Sequence, residues 1–126
     1  MKTRHLCLIA ILAATVCAFV ACGSDSTPSS PSAPASPGPD ITINIVGING
    51  ANSFAPSPTT INAGQRVVWK NTDTTQSHDA SADNGAFTTP ILASGASSDP
   101  VTMNTRGTFT YKCTIHPSMV GTITVQ

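Results

Sequence analysis

From Ile41 onwards large apolar residues fall at every second position in short runs, and that alternation admits strands and little else. Ile41, Ile43 and Ile45 alternate with Thr42 and Asn44, the period-two signature of a strand with one buried face. Thr59 to Asn62 and Arg66 to Lys70 read as two further strands, separated by the turn signal Asn62-Ala63-Gly64. Val101 and Met103 alternate with Thr102 and Asn104 ahead of a turn at Gly107. Phe109, Tyr111 and Cys113 then alternate with Thr108, Thr110 and Lys112, and Ile123 and Val125 share a face opposite Thr122 and Thr124. No window sustains an apolar period near 3.6, so helix is minor. Several short strands separated by turns predict an all-β domain over residues 41–126, a β-sandwich with Greek-key connections. Its aromatic residues, Phe54, Trp69, Phe87, Phe109 and Tyr111, are expected in the core.

The first forty residues are of another kind. Lys2 and Arg4 precede Leu6–Val20, a stretch without a charge, and Ala21-Cys22-Gly23 follows. A charged start, a short apolar run and a small-residue exit predict an export signal over residues 1–22, since a membrane span needs about 20 apolar residues. Phe19-Val20-Ala21-Cys22 resembles the bacterial lipoprotein box, with Phe19 where that box usually has Leu. The resemblance implies acylation of Cys22 and a lipid anchor at the periplasmic or outer cell surface; ordinary cleavage after Ala18 is the alternative. Residues 23–40 hold five of the ten prolines, mixed with Ser, Ala and Gly. Such a segment cannot bury enough surface to offset its ordering entropy and is expected to be a disordered spacer, reaching on the order of 50 Å when extended.

Charge excludes one large class of function. Six Lys and Arg are balanced by six Asp, with no Glu, and none of them cluster. Nucleic-acid binding requires a basic face to neutralise phosphates. Cysteine usage says more. Cys7, Cys17 and Cys22 lie in the export segment, which leaves Cys113 as the lone thiol of the folded region. An exported domain normally pairs its cysteines. A domain this small, without disulfides, depends on its apolar core or on a bound metal.

The neighbours of Cys113 suggest the metal. Cys113, His116 and Met119 follow one another at equal intervals in Cys113-Thr114-Ile115-His116-Pro117-Ser118-Met119, just past a strand. A loop of this kind can wrap one ion with a thiolate, an imidazole and a thioether. The one other histidine of the domain, His78, follows the strand that ends near Lys70, and strand ends distant in sequence can meet at one rim of a sandwich. Two His and one Cys with a weak Met form a ligand set suited to copper. Zinc accepts Cys and His but not a thioether, and a zinc enzyme would need an acid or base near an open position, for which only Asp79 stands close in sequence. Thiol catalysis by Cys113 and His116 lacks a placed Asn or Asp to orient the imidazole.

These residues resemble the cupredoxin family, most closely its plastocyanin and amicyanin branch. The similarity runs from Phe54-Ala55-Pro56 through Gly64, Val68-Trp69 and Asn71 to Cys-x₂-His-x₂-Met with Pro117, and on to Gly121-Thr122-Ile123. It implies a Greek-key sandwich, a type 1 copper site and one-electron transfer rather than enzymatic chemistry. It also implies that His78 is the first copper histidine and that His116 reaches the surface, where redox partner proteins dock on a monomer. Two features depart from the pattern. Asp79 stands where the family often has an Asn that ties the two ligand loops together, and the loop from Asn71 to His78 is one residue longer than in amicyanin. A copper-delivery protein without a carrier role, and an accessory domain docking on a copper or haem enzyme, are the competing expectations.

Overall fold

The computed structural model describes residues 38–126; the export segment with Cys22, and the linker as far as residue 37, lie outside the described residues. Among the described residues, eight strands form two four-stranded sheets. They are β1 (Ile41–Ile45), β2 (Phe54–Ala55), β3 (Thr59–Ile61), β4 (Arg66–Asn71), β5 (Ser81–Ala82), β6 (Val101–Thr102), β7 (Gly107–Lys112) and β8 (Val120–Val125). One sheet has the order β2-β1-β4-β6, the other β3-β8-β7-β5. The pairs β1–β4 and β3–β8 are parallel, and the remaining pairs are antiparallel. Parallel neighbours cannot be joined by a tight turn, so the chain crosses between the sheets before it returns. This is the expected Greek-key sandwich.

Alternation decides what enters the core. Ile43, Ile45, Val67 and Trp69 from one sheet meet Phe109, Tyr111, Ile123 and Val125 from the other, all of them buried. The expected aromatic core is present. Phe54 stands edge-on to Tyr111 with ring centroids 4.7 Å apart, Trp69 lies 4.8 Å from Phe87, and Tyr111 is 5.8 Å from both Trp69 and Phe87. Each such pair contributes about 0.5–1.5 kcal/mol beyond the area it buries.

The turn at Asn62–Gln65 forms as expected: Gly64 takes a φ of +87° and the Gln65 N–H donates to Asn62 O at 3.1 Å. Three elements were not foreseen: β2, β5 and a 3-10 turn at Gly50–Asn52. Two-residue strands show no periodicity, so pairing alone creates them. Asp40, at the end of the expected linker, is already tied to Arg66 Nε at 2.6 Å. The parallel register that sets Ile45 beside Asn71 sends the loops after β1 and β4 to the same end of the sandwich. His78 and Cys113 meet at that end.

Candidate metal centre

Cys113 continues the inward face of β7, two residues beyond Tyr111, and is fully buried. The segment after it is a closed loop. The Cys113 N–H donates to Met119 O at 3.1 Å and the Met119 N–H to His116 O at 2.9 Å. Beyond Lys112–Val120, the last pair of the β7–β8 ladder, these bonds set Met119 across from Cys113. The Met119 side chain is also fully buried, whereas His116 is partly exposed.

His78 is held from both sides of its backbone. Its N–H donates to Leu92 O at 3.1 Å, and the Leu92 N–H returns a bond to His78 O at 2.7 Å. Buried Asn71 shapes the approach to it. The Asn71 amide donates to Gln76 O at 2.8 Å and to Leu92 O at 2.9 Å, while its Oδ1 accepts the Asp73 N–H at 3.0 Å.

Three donor atoms converge. His78 Nδ1 lies 3.9 Å from Cys113 Sγ, His116 Nδ1 lies 3.8 Å from the same sulfur, and the two ring nitrogens are 3.2 Å apart. An ion equidistant from three atoms so spaced sits about 2 Å from each, an ordinary metal–nitrogen bond length. Among the described residues this is the one group of three or more His, Cys, Asp or Glu side chains able to hold a metal. His78, Cys113 and His116 are thus brought together, with Met119 buried beside them, and Cys22 lies outside the described residues. A thiolate, two imidazoles and a thioether make a donor set that copper fits better than zinc.

Two aspartates complete the surroundings, and sequence reasoning missed the first. Asp73 Oδ2 accepts the proton of His78 Nε2 at 2.9 Å, which turns the Nδ1 lone pair towards Cys113. Asp73 Oδ1 accepts the Thr75 N–H and hydroxyl at 2.8 and 2.7 Å. The bond from His78, joined by those from Thr75, holds the Asp73 carboxyl far below the usual carboxylate range. In the sequence Asp73-Thr74-Thr75 looks like any surface Asx turn; only the position of His78 gives it a second role. Asp79 is buried and spans to the other loop, its Oδ1 accepting the Thr114 N–H at 2.6 Å and its Oδ2 accepting the Thr114 hydroxyl. The two ligand loops are therefore tied together, but by a carboxylate.

Fold and centre together define a cupredoxin. The chain belongs to the plastocyanin/azurin family of copper-binding proteins, whose family model matches residues 41–126, and its cofactor is copper. Among solved structures it is similar to a purple cupredoxin from Nitrosopumilus maritimus. That protein is 29% identical with a TM-score of 0.60, and the match covers 69% of this chain and all of the other. An amicyanin variant in its reduced Cu(I) form at pH 4 is 21% identical with a TM-score of 0.59, over 73% of this chain and 87% of the other. An oxidised amicyanin variant, 21% identical with a TM-score of 0.60, covers 69% and 82%. No curated protein sequence matches the chain significantly.

Proposed function

We propose that this protein is a one-electron carrier of the cell envelope, in which His78, Cys113 and His116 would hold one copper ion with Met119 as a weaker fourth donor. The observation that carries the reading is the fixed convergence of the three donor atoms within 3.9 Å of one another. Each ligand residue is held by protein hydrogen bonds: His78 by Leu92 and Asp73, Cys113 and His116 by Met119, and the two loops are tied by Asp79 and Thr114. Bound copper supplies a one-electron change between Cu(II) and Cu(I). The protein's part is to keep the ligands still, because ligand rearrangement slows electron transfer.

Exposure supports a carrier over a delivery protein. Cys113, His78 and Met119 are sealed inside, so transfer of the ion itself would require the loops to open, whereas an electron can pass through the half-exposed His116. The exposed large apolar side chains, Val46, Ile48, Ile91, Ile115 and Val120, all belong to loops or strand ends at the ligand end of the sandwich. Redox partner proteins would dock at this end, near His116. The export signal and the acylated Cys22 expected from the sequence would put the domain in the periplasm or at the cell surface, joined to its anchor through residues 23–40.

The test is the absorption spectrum of the full-length protein loaded with Cu(II). A strong visible thiolate-to-copper band is expected, and a colourless protein with bound Cu(II) would overturn the reading. NMR line broadening in mixtures of the oxidised and reduced protein separates carrier from delivery protein. Fast self-exchange supports the carrier; slow exchange, with ready loss of Cu(I) to a chelator, supports delivery.

A further inference from the structure

We infer that Asp73 and Asp79 are two fixed negative charges flanking His78 that bias the copper centre towards its oxidised state. The inference rests on the copper-carrier reading above and adds what sets the centre's redox preference.

The geometry places both charges close. Asp73 touches the far nitrogen of the His78 ring at 2.9 Å, so one imidazole separates its carboxylate from the metal position. Asp79 follows His78 in the chain and accepts both the N–H and the hydroxyl of Thr114, the residue after Cys113. It therefore stands between two of the three ligand residues, and it is almost fully buried. Every hydrogen-bond partner of the two carboxylates is a donor: His78 Nε2, the Thr75 N–H and hydroxyl, and the Thr114 N–H and hydroxyl. Both side chains are thus placed to accept only, with no acceptor set against either of them.

Among the described residues neither carboxylate pairs with a Lys or Arg. The ion pairs found there join Arg66 to Asp40 and Lys112 to Asp83. With one thiolate and two neutral imidazoles, Cu(II) leaves the ligand set at a net charge of plus one and Cu(I) leaves it neutral. Two adjacent carboxylates therefore stabilise the oxidised form and oppose the extra electron. Salt screens the buried Asp79 little, and the partly exposed Asp73 more. An Asn at position 79 would tie the loops equally well, its oxygen accepting the Thr114 N–H and its amide donating to the hydroxyl, but it would add no charge.

The experiment measures reduction potentials of the copper-loaded full-length protein at neutral pH, with the visible spectrum recorded for each variant. Asp79→Asn keeps both links to Thr114 and removes the charge. Its preference for Cu(II) over Cu(I) is expected to fall about tenfold, a rise of about 59 mV for one electron. Asp73→Asn should raise the potential by a similar amount. Thr114→Val is the control: it weakens the tie and keeps the charge, and it should produce no rise. A wild-type potential in Asp79→Asn, or an equal rise in Thr114→Val, overturns the proposal while a wild-type thiolate band leaves the carrier reading intact. Absence of that band from the wild-type protein overturns both. If Asp73→Asn is too unstable to load, Asp79→Asn and its control decide the matter.

Discussion

The ring of Tyr111 lies where the Cβ of any residue other than glycine at position 121 would stand. The two residues face each other across the β7–β8 ladder, and a Cβ built on Gly121 would overlap Tyr111 Cζ and come within 2.8 Å of its Cε1. Tyr111 cannot swing aside, because Phe54, Trp69 and Phe87 pack around it. Gly121→Ala should therefore destabilise the domain by about 1–3 kcal/mol through overpacking. It should also disturb the visible band, since Met119 lies two residues upstream. Thermal unfolding and the copper spectrum check both effects.

Tyr111 carries a second prediction, this one about alkaline pH. Burial pushes its phenol from 10.0 up to about 12. The folded value lies above the unfolded one, so this contribution is fully present below pH 10 and is lost as pH rises through about 12. Its size is on the order of 2–3 kcal/mol. Tyr111 is the only tyrosine of the chain, so phenolate absorbance reads it alone, and ionisation should appear late and together with unfolding. A midpoint near 10 in the folded protein would refute this. The Tyr111 hydroxyl has no hydrogen-bond partner, so Tyr111→Phe should change stability at neutral pH by less than about 1 kcal/mol.

Asn71 should prove costlier to replace than its size suggests. Asn71→Ala leaves Gln76 O, the buried Leu92 O and the Asp73 N–H without their side-chain partner. A loss of about 2–4 kcal/mol is expected from three such bonds. Copper retention should weaken as well, because the loop that carries Asp73 and His78 is released. Denaturant unfolding of the apo and copper-loaded forms separates the two effects.

Ligand replacement gives a graded outcome. Cys113→Ser should bleach the visible band, whose intensity needs a covalent thiolate–Cu(II) bond. Met119→Leu should keep the colour and shift the reduction potential. Copper at a thousand times its dissociation constant should raise the wild-type unfolding free energy by about 4 kcal/mol, and chelation should reverse the gain. An unchanged unfolding midpoint on copper loading would contradict the site.

Attachment is tested at Cys22. The full-length protein should partition into the membrane fraction, and Cys22→Ser should release it or block its processing. Two or three acyl chains anchor stably where one does not. Fully soluble export of the unmutated protein would leave ordinary signal cleavage as the explanation.

The sequence alone determined much of this molecule, because period-two alternation is a local property. Ile43, Ile45, Val67, Trp69, Phe109, Tyr111, Ile123 and Val125 could each be assigned to the core from their immediate neighbours. The residues Cys113, His116 and Met119 were legible for the same reason: one short loop carries all three at fixed spacing. His78 was legible by elimination, as the only other histidine of the domain. What depends on distant segments meeting could not be read. Strands β2 and β5 exist only because β1 and β7 offer them backbone partners. The ring of Tyr111 rules out a side chain at Gly121 only once β7 and β8 are in register. Asp73 differs from a surface turn residue only after the loop from Asn71 folds back on His78. Asp79 meets Thr114 across 35 positions of sequence, and that contact exists only because the sandwich brings the ends of β4 and β7 to one rim.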